Sequence, residues 1–404
     1  MHVVVIGAGV VGVTTAYYLA DLGCKVTVID RDDDVAGGAS LANGAQLSYT
    51  FTDSLAKPQF IAKIPGLIAG RDIGSRVRLH AAMLPWGLRF LGQCTSKKAQ
   101  ANTLAVLATA LRSAELMAKL REAVPFDFAH RTVGKLVLLS SAEELEASKA
   151  SVAMKSAHGA KIKIVSAEEA LDIEPALGGL EESIVAAVYS SSDAVADSRL
   201  FSAGLRDWLR DTAGVTFVLG EDVKRLRQSK GRFKAVETDQ GNYVADAAVV
   251  CSGAWSGQLL RPLGFDPHIY PMRGYSVTLP AGSRALTVSA TALRHRIVFS
   301  RINDQVRIAG YADFRGFRTD TDEERIATLV ETAKRYAPLA ADYSAEDQQP
   351  WGGFRPMTPD GRARVGRTGI DGLYLNTGHG MLGWTLACAS GYDVARCVVG
   401  KSGE

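Results

Sequence analysis

The sequence predicts an α/β protein with additional α+β elements, in which a parallel-sheet domain is interleaved with a domain built on an antiparallel sheet. Its 404 residues exceed one ordinary hydrophobic core and suit two domains. Residues 2–30 read as strand, glycine turn, helix and strand, and residues 270–312 read as a series of alternating strands. We expect the first domain to comprise residues 1–80, 150–260 and 350–404, and the second to comprise residues 81–149 and 261–349.

The amino-terminal unit begins with an apolar strand at residues 2–6. Residues 10–22 have helical composition, Gly23 ends that helix, and residues 25–30 alternate as a second strand. Two strands joined by a helix in this way lie parallel to each other. The unit is therefore predicted to be βαβ.

Later segments supply the other elements. Between residues 215 and 250, short alternating strands are joined by Gly, Asp and Asn turns. The apolar run at 247–251 leads into a small-residue turn, and we expect it to return to the parallel sheet. Residues 100–121 and 322–336 carry apolar side chains at helical spacing, which predicts two amphipathic helices.

Composition excludes several classes of protein. Hydrophobic residues make up 47% and charged residues 22%, and the net charge is +3 without any run of five basic residues. These values predict a folded protein without a nucleic-acid footprint. The five cysteines form no C-x-x-C pair, so we expect neither disulfides nor a metal site. With no basic leader and no apolar run of 18 residues, the chain is predicted to be cytoplasmic, with at most peripheral membrane contact.

The strongest motif is Gly7-x-Gly9-x-x-Gly12, placed between a strand and a helix, with Asp30 closing the next strand. Gly7 permits a tight turn, Gly9 allows close approach of a pyrophosphate, and Gly12 lets helix and strand pack, while Asp30 accepts hydrogen bonds from a ribose. The alternative is a glycine turn used only for packing. The motif predicts a Rossmann-type dinucleotide site. The motif lies at the extreme N-terminus and occurs once, which favours FAD as the dinucleotide. NAD stays open as the alternative.

Four segments carry a family resemblance. They are Gly353-Phe-Arg-Pro-Met-Thr-Pro-Asp-Gly361, Leu375-Asn-Thr-Gly-His-Gly-Met-Leu-Gly-Trp-Thr-Leu-Ala387, Tyr270-Pro-Met-Arg-Gly-Tyr-Ser276 and Gly38-Ala-Ser-Leu-Ala-Asn-Gly-Ala-Gln46. Together they resemble the small subunit of bacterial D-amino acid dehydrogenases, within the D-amino acid oxidase and glycine oxidase family of flavoproteins. The resemblance covers the chain from residue 1 to about residue 400. It implies a Rossmann-type FAD-binding domain and an antiparallel-sheet substrate domain.

The resemblance implies FAD as the cofactor. Some relatives attach flavin to a cysteine before the Thr-Pro-Asp segment, but Gly352, Gly353 and Phe354 stand here, so we expect a non-covalent cofactor. A glycine loop and helix start at 378–385 would stabilise negative charge on reduced flavin. The expected cofactor-binding residues are Gly7, Gly9, Val10, Val11, Gly12, Asp30, Arg31, Ser40, Asn43, Gly44, Ala45, Val223, Gly253, Ala254, Gly378, Gly380, Met381, Leu382, Gly383, Trp384 and Thr385.

The implied reaction is oxidative deamination of a D-amino acid to the 2-oxo acid and ammonia, by hydride transfer to flavin N5. After Gln46 the chain reads Leu-Ser-Tyr-Thr-Phe51, unlike the family, so substrate identity stays open. One alternative is oxidation of a secondary amine such as proline, hydroxyproline, sarcosine, glycine or an opine, as an oxidase or a dehydrogenase and perhaps as one subunit of a complex. A nicotinamide-dependent dehydrogenase and a non-catalytic flavin-binding subunit also stay open. The resemblance also implies a quinone or another redox partner as acceptor, and docking on the inner face of the plasma membrane.

Five residues are candidates for catalysis or substrate binding. Arg301 and Arg355 lie where similar proteins place arginines that hold a substrate carboxylate in two parallel bonds. Tyr275 is expected to close the pocket, and His379 to tune or orient the flavin. Tyr49, in the departing segment, is the weakest candidate. The alternatives are structural ion pairs or flavin contacts for the two arginines, a half-buried strand tyrosine for Tyr275 and a loop histidine with satisfied hydrogen bonds for His379.

Overall fold

The computed structural model describes residues 1–320 and 322–401. Its α-helices are α1 (Val10–Asp21), α2 (Pro58–Ile68), α3 (Leu84–Leu91), α4 (Ser96–Ala123), α5 (Ala142–Ala157), α6 (Ala167–Ile173), α7 (Ser198–Ala213), α8 (Ser256–Leu260), α9 (Asp322–Tyr336) and α10 (Gly383–Val398). Its strands are β1 (His2–Ile6), β2 (Lys25–Asp30), β3 (Gln46–Leu47), β4 (Lys135–Leu139), β5 (Ile162–Ser166), β6 (Ala186–Ser190), β7 (Ala194–Val195), β8 (Thr216–Leu219), β9 (Val223–Ser229), β10 (Arg232–Thr238), β11 (Asn242–Val244), β12 (Ala247–Val250), β13 (Tyr270–Pro280), β14 (Ser289–Ala292), β15 (Ile297–Ile302), β16 (Gln305–Asp313), β17 (Gln349–Met357), β18 (Arg364–Arg367) and β19 (Leu373–Thr377).

A six-stranded sheet in the order β18-β19-β12-β1-β2-β8 forms the first layer. Its strands are parallel except for β18. The apolar residues of β1 are buried on both faces, as central parallel strands require. One face packs on α1, α10, α4 and α7, and the other on β9, β10 and α8. The predicted βαβ unit and the return of residues 247–250 to this sheet are confirmed.

An eight-stranded sheet in the order β17-β13-β16-β15-β14-β4-β6-β5 forms the second layer. Neighbouring strands are antiparallel except for β14 and β4. Helix α9 covers one face through Leu329, Ala333 and Tyr336. The predicted mixed α/β class with an antiparallel sheet is confirmed.

The sheet memberships differ from the residue ranges expected for the two domains. Strands β5 and β6 come from the 150–260 range and β17 from the 350–404 range, yet all three pair within the eight-stranded sheet. Helix α4, from the 81–149 range, packs against α10 beside the parallel sheet. Pairing between distant strands is set by tertiary contacts, which local periodicity does not report.

The close packing at the glycine turn can be tested by substituting Gly12. A Cβ atom at Gly12 would lie 1.8 Å from the carbonyl oxygen of Gly7, whereas a Cβ at Gly66 in α2 would meet nothing within 4 Å. We therefore expect Gly12→Ala to lower the free energy of unfolding by about 3 kcal/mol or more. Gly66→Ala should raise it by about 0.5–1 kcal/mol, because alanine favours a helix. Urea denaturation of both variants measures the difference, and equal effects would contradict this packing.

Candidate active site

A cavity of about 900 Å³ lies between the two sheets. Its lining comes from the turn after β1, the loop before β3, strands β15 to β17 and the loop that leads into α10. Cavities of this size between layers, with a few convergent polar groups, are the usual place for a cofactor and a small substrate. The cavity is therefore the candidate active site.

The glycine turn forms one wall of this cavity. Gly7 has a φ of +109°, and a Cβ there would approach the carbonyl oxygen of Cys251 to 2.8 Å. Gly9 is the N-cap of α1 and provides no capping side chain. The N–H of Val10 is bonded to the Ser40 hydroxyl, and the amides that follow it in the first turn remain for a ligand. These amides and the positive end of the helix suit a pyrophosphate.

Asp30 stands at the end of β2 and lines the cavity. Its carboxylate accepts hydrogen bonds from the backbone N–H groups of Ala8 and Asp32. Burial raises the pKa of Asp30, although both hydrogen bonds oppose that rise. A carboxylate has about four lone-pair sites, so capacity remains for ribose hydroxyls. Beside it, the guanidinium of Arg31 lies 4.0 Å from the ring centre of Trp255.

The loop before β3 is tied down by its own polar side chains. The Ser40 hydroxyl accepts a hydrogen bond from the N–H of Val10 at 3.0 Å, which fixes the loop against the start of α1. Asn43 donates to the Ser198 hydroxyl at 2.7 Å and accepts from the N–H of Ala45 at 2.9 Å. The loop therefore presents Asn43 and its neighbours to the cavity in a fixed conformation.

His379 lines the cavity in the loop before α10. It stands between Gly378 and Gly380, whose φ values are +78° and +59°. The ring is buried, and its Nε2 lies 2.9 Å from the Ser390 hydroxyl. Burial lowers the pKa of His379 to about 4, so the imidazole is neutral at neutral pH.

Arg355 extends from β17 into the cavity. Its guanidinium donates to the carbonyl of Tyr311 at 2.9 Å, and a Cβ at Gly274 would lie 2.5 Å from it, so the glycine leaves its space open. Burial lowers the pKa of Arg355 to about 10, which still leaves a cation at neutral pH. Tyr275 lines the same cavity and donates its hydroxyl to Asp313 at 2.9 Å.

The chain matches the model of the FAD dependent oxidoreductase family over residues 2–397. It is 38% identical over 403 residues to D-amino acid dehydrogenase 2 of Ralstonia nicotianae, covering 96% of this chain and 94% of that relative. The protein belongs to the FAD-dependent oxidoreductase family. A D-amino acid dehydrogenase of Allorhizobium ampelinum is 36% identical over 408 residues, covering 100% of this chain and 96% of the relative.

Solved structures of other proteins share the fold of this chain. Glycine oxidase from Geobacillus kaustophilus has a TM-score of 0.78 at 22% identity, covering 99% of this chain and 95% of that structure. L-proline dehydrogenase from P. horikoshii has a TM-score of 0.75 at 20% identity, covering 98% and 92%. The glycine turn and the Asp30 carboxylate described above fit the dinucleotide portion of FAD.

Most of the expected cofactor-binding residues line the cavity. These are Gly7, Gly9, Val10, Val11, Asp30, Arg31, Ser40, Asn43, Gly44, Val223, Gly253, Ala254, Gly380, Met381, Leu382, Gly383 and Trp384. Gly12, Ala45, Gly378 and Thr385 lie behind this surface and shape it from within. For example, the Thr385 hydroxyl accepts a hydrogen bond from the N–H of Ser48 at 3.1 Å.

The structure does not bring Arg301 to the cavity. Side chains alternate along β15, and Val298 lines the cavity while the Ser300 hydroxyl donates to the carbonyl of Gly44. Arg301 therefore points to the opposite face, where its Nε donates to the carbonyl of Asn303 at 3.1 Å. The proposed clamp below is accordingly built on Arg355.

Tyr49 is also turned away from the cavity. Gln46 and Ser48 line it, whereas Leu47 and Tyr49 join the core that contains α1 and α10. Burial raises the pKa of Tyr49 well above its usual value. Its position is that of a packing residue.

Sequence reasoning missed four basic residues that line the cavity, namely Lys63, Lys135, Lys224 and Arg296. The Lys135 ammonium donates to Gln46 and Ser48, and Arg296 pairs with Asp72. Lys135 opens the apolar run Leu136–Leu139, and a charged residue at the start of a buried strand is a readable signal. Arg296 lies in a turn with a φ of +55° and carries no comparable signal.

The neutral state of His379 predicts a pH dependence of stability. An unfolded histidine binds a proton near pH 6.5, but the folded one does so only near pH 4. Its contribution is therefore complete above about pH 6.5 and is lost as the pH falls toward about 4. We expect wild type to lose roughly 2 to 3 kcal/mol more unfolding free energy than His379→Gln over this window. Urea denaturation at a series of pH values checks this, and parallel pH profiles would contradict it.

Proposed function

We propose that this FAD-dependent oxidoreductase oxidises an amino acid at its Cα–N bond, converting a D-amino acid to the 2-oxo acid and ammonia. The carrying observation is the Arg355 guanidinium, held inside the same cavity as the dinucleotide-binding turn. A planar guanidinium matches a carboxylate in two parallel charge-assisted bonds. Support comes from full-length relatives named D-amino acid dehydrogenase that are 32% to 38% identical.

Positioning is the main task of the protein in this reaction. Arg355 donates to the carbonyl of Tyr311 at 2.9 Å and to that of Gly310 at 3.5 Å, and a guanidinium has five donors, so others remain for the substrate carboxylate. Tyr275, fixed by its bond to Asp313, closes the pocket on that side. When bound, FAD supplies the acceptor for the hydride that leaves Cα. Water then converts the resulting imine of the substrate to the 2-oxo acid and ammonia.

The helix ends and His379 define the electrostatics of the cavity. The N-terminus of α10 follows a loop that lines it, and the positive end of a helix favours an anion. The residues from Met381 to Trp384 would hold the flavin edge at this place. Neutral His379 adds no charge there, and its bond to Ser390 fixes the ring.

A second candidate is the oxidation of a secondary amine, by an oxidase or a dehydrogenase. Ser48 and Phe51, from the segment that departs from the family pattern, line the cavity beside Gln46. They therefore face the space where the substrate side chain would lie. Two proteins of the same fold are named glycine oxidase and L-proline dehydrogenase, which supports a range of amine substrates for this architecture.

We further propose a non-covalent FAD and an acceptor other than oxygen, either a quinone or another redox partner. Gly352, Gly353 and Phe354 in β17 offer no thiol for a flavin bond. A role as the small subunit of a complex belongs to the same proposal, and the support for it is the sequence resemblance.

The carboxylate clamp is tested by Arg355→Lys. Loss of a bidentate bond in a buried pocket should cost about 2 to 5 kcal/mol, roughly 30-fold to several thousand-fold in kcat/KM, because an ammonium cannot reproduce the fork. Arg301→Lys, outside the cavity lining, is the matched control and should change kcat/KM by less than about threefold. Steady-state dye reduction by amino acids gives both values.

FAD content and a second substrate separate binding from folding. Arg355→Lys should retain FAD and lose activity on amino acids more than on amines that lack the carboxyl group. Equal loss on both substrates, or a larger loss in Arg301→Lys, would contradict the clamp.

We propose peripheral membrane docking through residues 54–98, which we name the basic apolar segment. This stretch contains eight Lys or Arg residues and one acid, Asp72, which is paired with Arg296. Its exposed large apolar residues are Ile61, Ile68, Ile73, Leu79, Leu84, Leu88 and Leu91. Exposed apolar side chains among basic ones suit an anionic bilayer surface. In residues 1–320 and 322–401, no helix is long and apolar enough to cross a membrane.

Vesicle sedimentation tests this surface. The protein should bind vesicles of phosphatidylcholine mixed with phosphatidylglycerol, and bind phosphatidylcholine alone much less. Leu88→Asp should weaken binding by roughly 10-fold, because it removes an exposed leucine that would enter the bilayer and adds a negative charge. Val244→Asp, at an exposed apolar position on β11, is the matched control. Unchanged binding by Leu88→Asp, or equal loss in both variants, would overturn the assignment.

A further inference from the structure

We propose that Lys135 is a specificity-determining residue that donates a hydrogen bond to an uncharged oxygen in the side chain or ring of the substrate. This inference rests on the proposed amino acid oxidation and deepens it by naming a substrate class. That class comprises amino acids whose side chain or ring carries a hydroxyl, amide or other carbonyl oxygen at Cβ or farther from Cα.

Lys135 is built into the cavity wall by three strands. It opens β4 and pairs with Ser289 of β14, two residues before Thr291, so these side chains share one face of the sheet. Both Lys135 and Thr291 line the cavity. The Lys135 side chain is 2% exposed, a burial that few lysines adopt without a specific partner.

The ammonium has fixed partners and one remaining donor. Its Nζ donates to Gln46 Oε1 at 3.0 Å and to Ser48 Oγ at 2.8 Å. These two bonds account for two of its three protons among the hydrogen bonds of the described residues. The Phe51 ring centre lies 4.3 Å away and shields the group from solvent. Leaving the third N–H donor without an acceptor in a buried place costs free energy. An acceptor oxygen on a ligand in the cavity would therefore bind favourably to it.

Gln46 holds the ammonium in one orientation. Its amide nitrogen donates to the Ser289 hydroxyl, so its oxygen is directed at Lys135. The N–H of Ser48 donates to Thr385, at the start of α10. Lys135 is thereby connected both to the substrate-domain sheet and to the helix that would hold the flavin.

The charge around Lys135 favours an uncharged ligand. Asp193 is 1% exposed and accepts hydrogen bonds from Ser190 and Thr50. Burial raises the pKa of Asp193 to about 6, and Lys135 opposes that rise, so this carboxylate balances the ammonium at neutral pH. The second buried lysine, Lys155, is likewise paired with Asp53. A substrate carboxylate at this place would be an uncompensated buried charge.

The position relative to Arg355 suits the far end of a small substrate. The Arg355 guanidinium is bonded to β16, and β15 and β14 separate that strand from β4. Three strand spacings amount to roughly 14 Å between the strand axes. Arg355 reaches from β17 as far as β16, and Lys135 reaches inward from β4, which leaves room for an amino acid between their heads.

The test compares near-isosteric substrate pairs. These are D-threonine with D-valine, D-glutamine with D-methionine, and 4-hydroxy-D-proline with D-proline, the last pair covering the secondary-amine candidate. For the preferred pair, wild type should show a kcat/KM ratio of at least about 10 in favour of the oxygen-bearing member. Lys135→Met, which keeps the length of the side chain, should lower that ratio roughly 10- to 100-fold.

Lys155→Met is the matched control. Lys155 is as buried as Lys135 and donates to the Thr50 carbonyl and to Asp53, but it does not line the cavity. Its substitution should affect both members of a pair alike and leave the ratio within about twofold. FAD content of each variant reports on folding.

The outcomes separate this inference from the proposed function. Flavin reduction by no amino acid would overturn both. Reduction by amino acids with a wild-type ratio near one, or with a ratio that Lys135→Met leaves unchanged, would overturn the role of Lys135 alone. Should Lys135→Met fail to retain FAD, the wild-type ratios for the three pairs still decide the matter.

Discussion

The close approach of two glycines at the start of α1 is the constraint on which the active-site architecture depends. With 1.8 Å between the Gly7 carbonyl oxygen and a Cβ at position 12, only glycine lets the helix rise directly from β1. Gly7 also lies against Cys251, just after β12. The turn thus joins β1, α1 and β12, and it points the amino end of the helix at the cavity that FAD requires.

Side-chain alternation along strands decides which residues meet that cofactor and the substrate. On β15, Val298 and Ser300 face the cavity side and Arg301 does not. Around β3, Gln46 and Ser48 face it while Tyr49 enters the core. On β17 the four consecutive residues Gly353–Pro356 all line the cavity, so Arg355 reaches it in a stretch where the strand itself borders the cavity.

The difference between local motifs and side-chain alternation explains which parts of the fold and the site could be predicted from the sequence. The glycine turn and the FAD family could be predicted because their signals are local motifs whose chemistry needs those residues at that spacing. The position of Arg301 was missed because a strand-end arginine was assigned without the parity of its neighbours. Strand β6 joins the eight-stranded sheet by pairing with β4, and β5 joins it by pairing with β6; the β4–β6 contact links distant segments and is encoded by no local pattern. Lys135 carried a readable signal as a charged residue that opens an apolar run, but its place in the cavity wall becomes visible only when the sheets are assembled.

The central claim is that a D-amino acid delivers two electrons to FAD in this cavity, and anaerobic mixing tests it most directly. The purified yellow protein would be titrated without oxygen with D- and L-amino acids and secondary amines, and the visible flavin absorbance followed. The account predicts that at least one D-amino acid bleaches the flavin, with one 2-oxo acid and one ammonia formed per flavin reduced. Failure of every D-amino acid to bleach a flavin that dithionite reduces would contradict it, whether or not an L-amino acid or a secondary amine bleaches it.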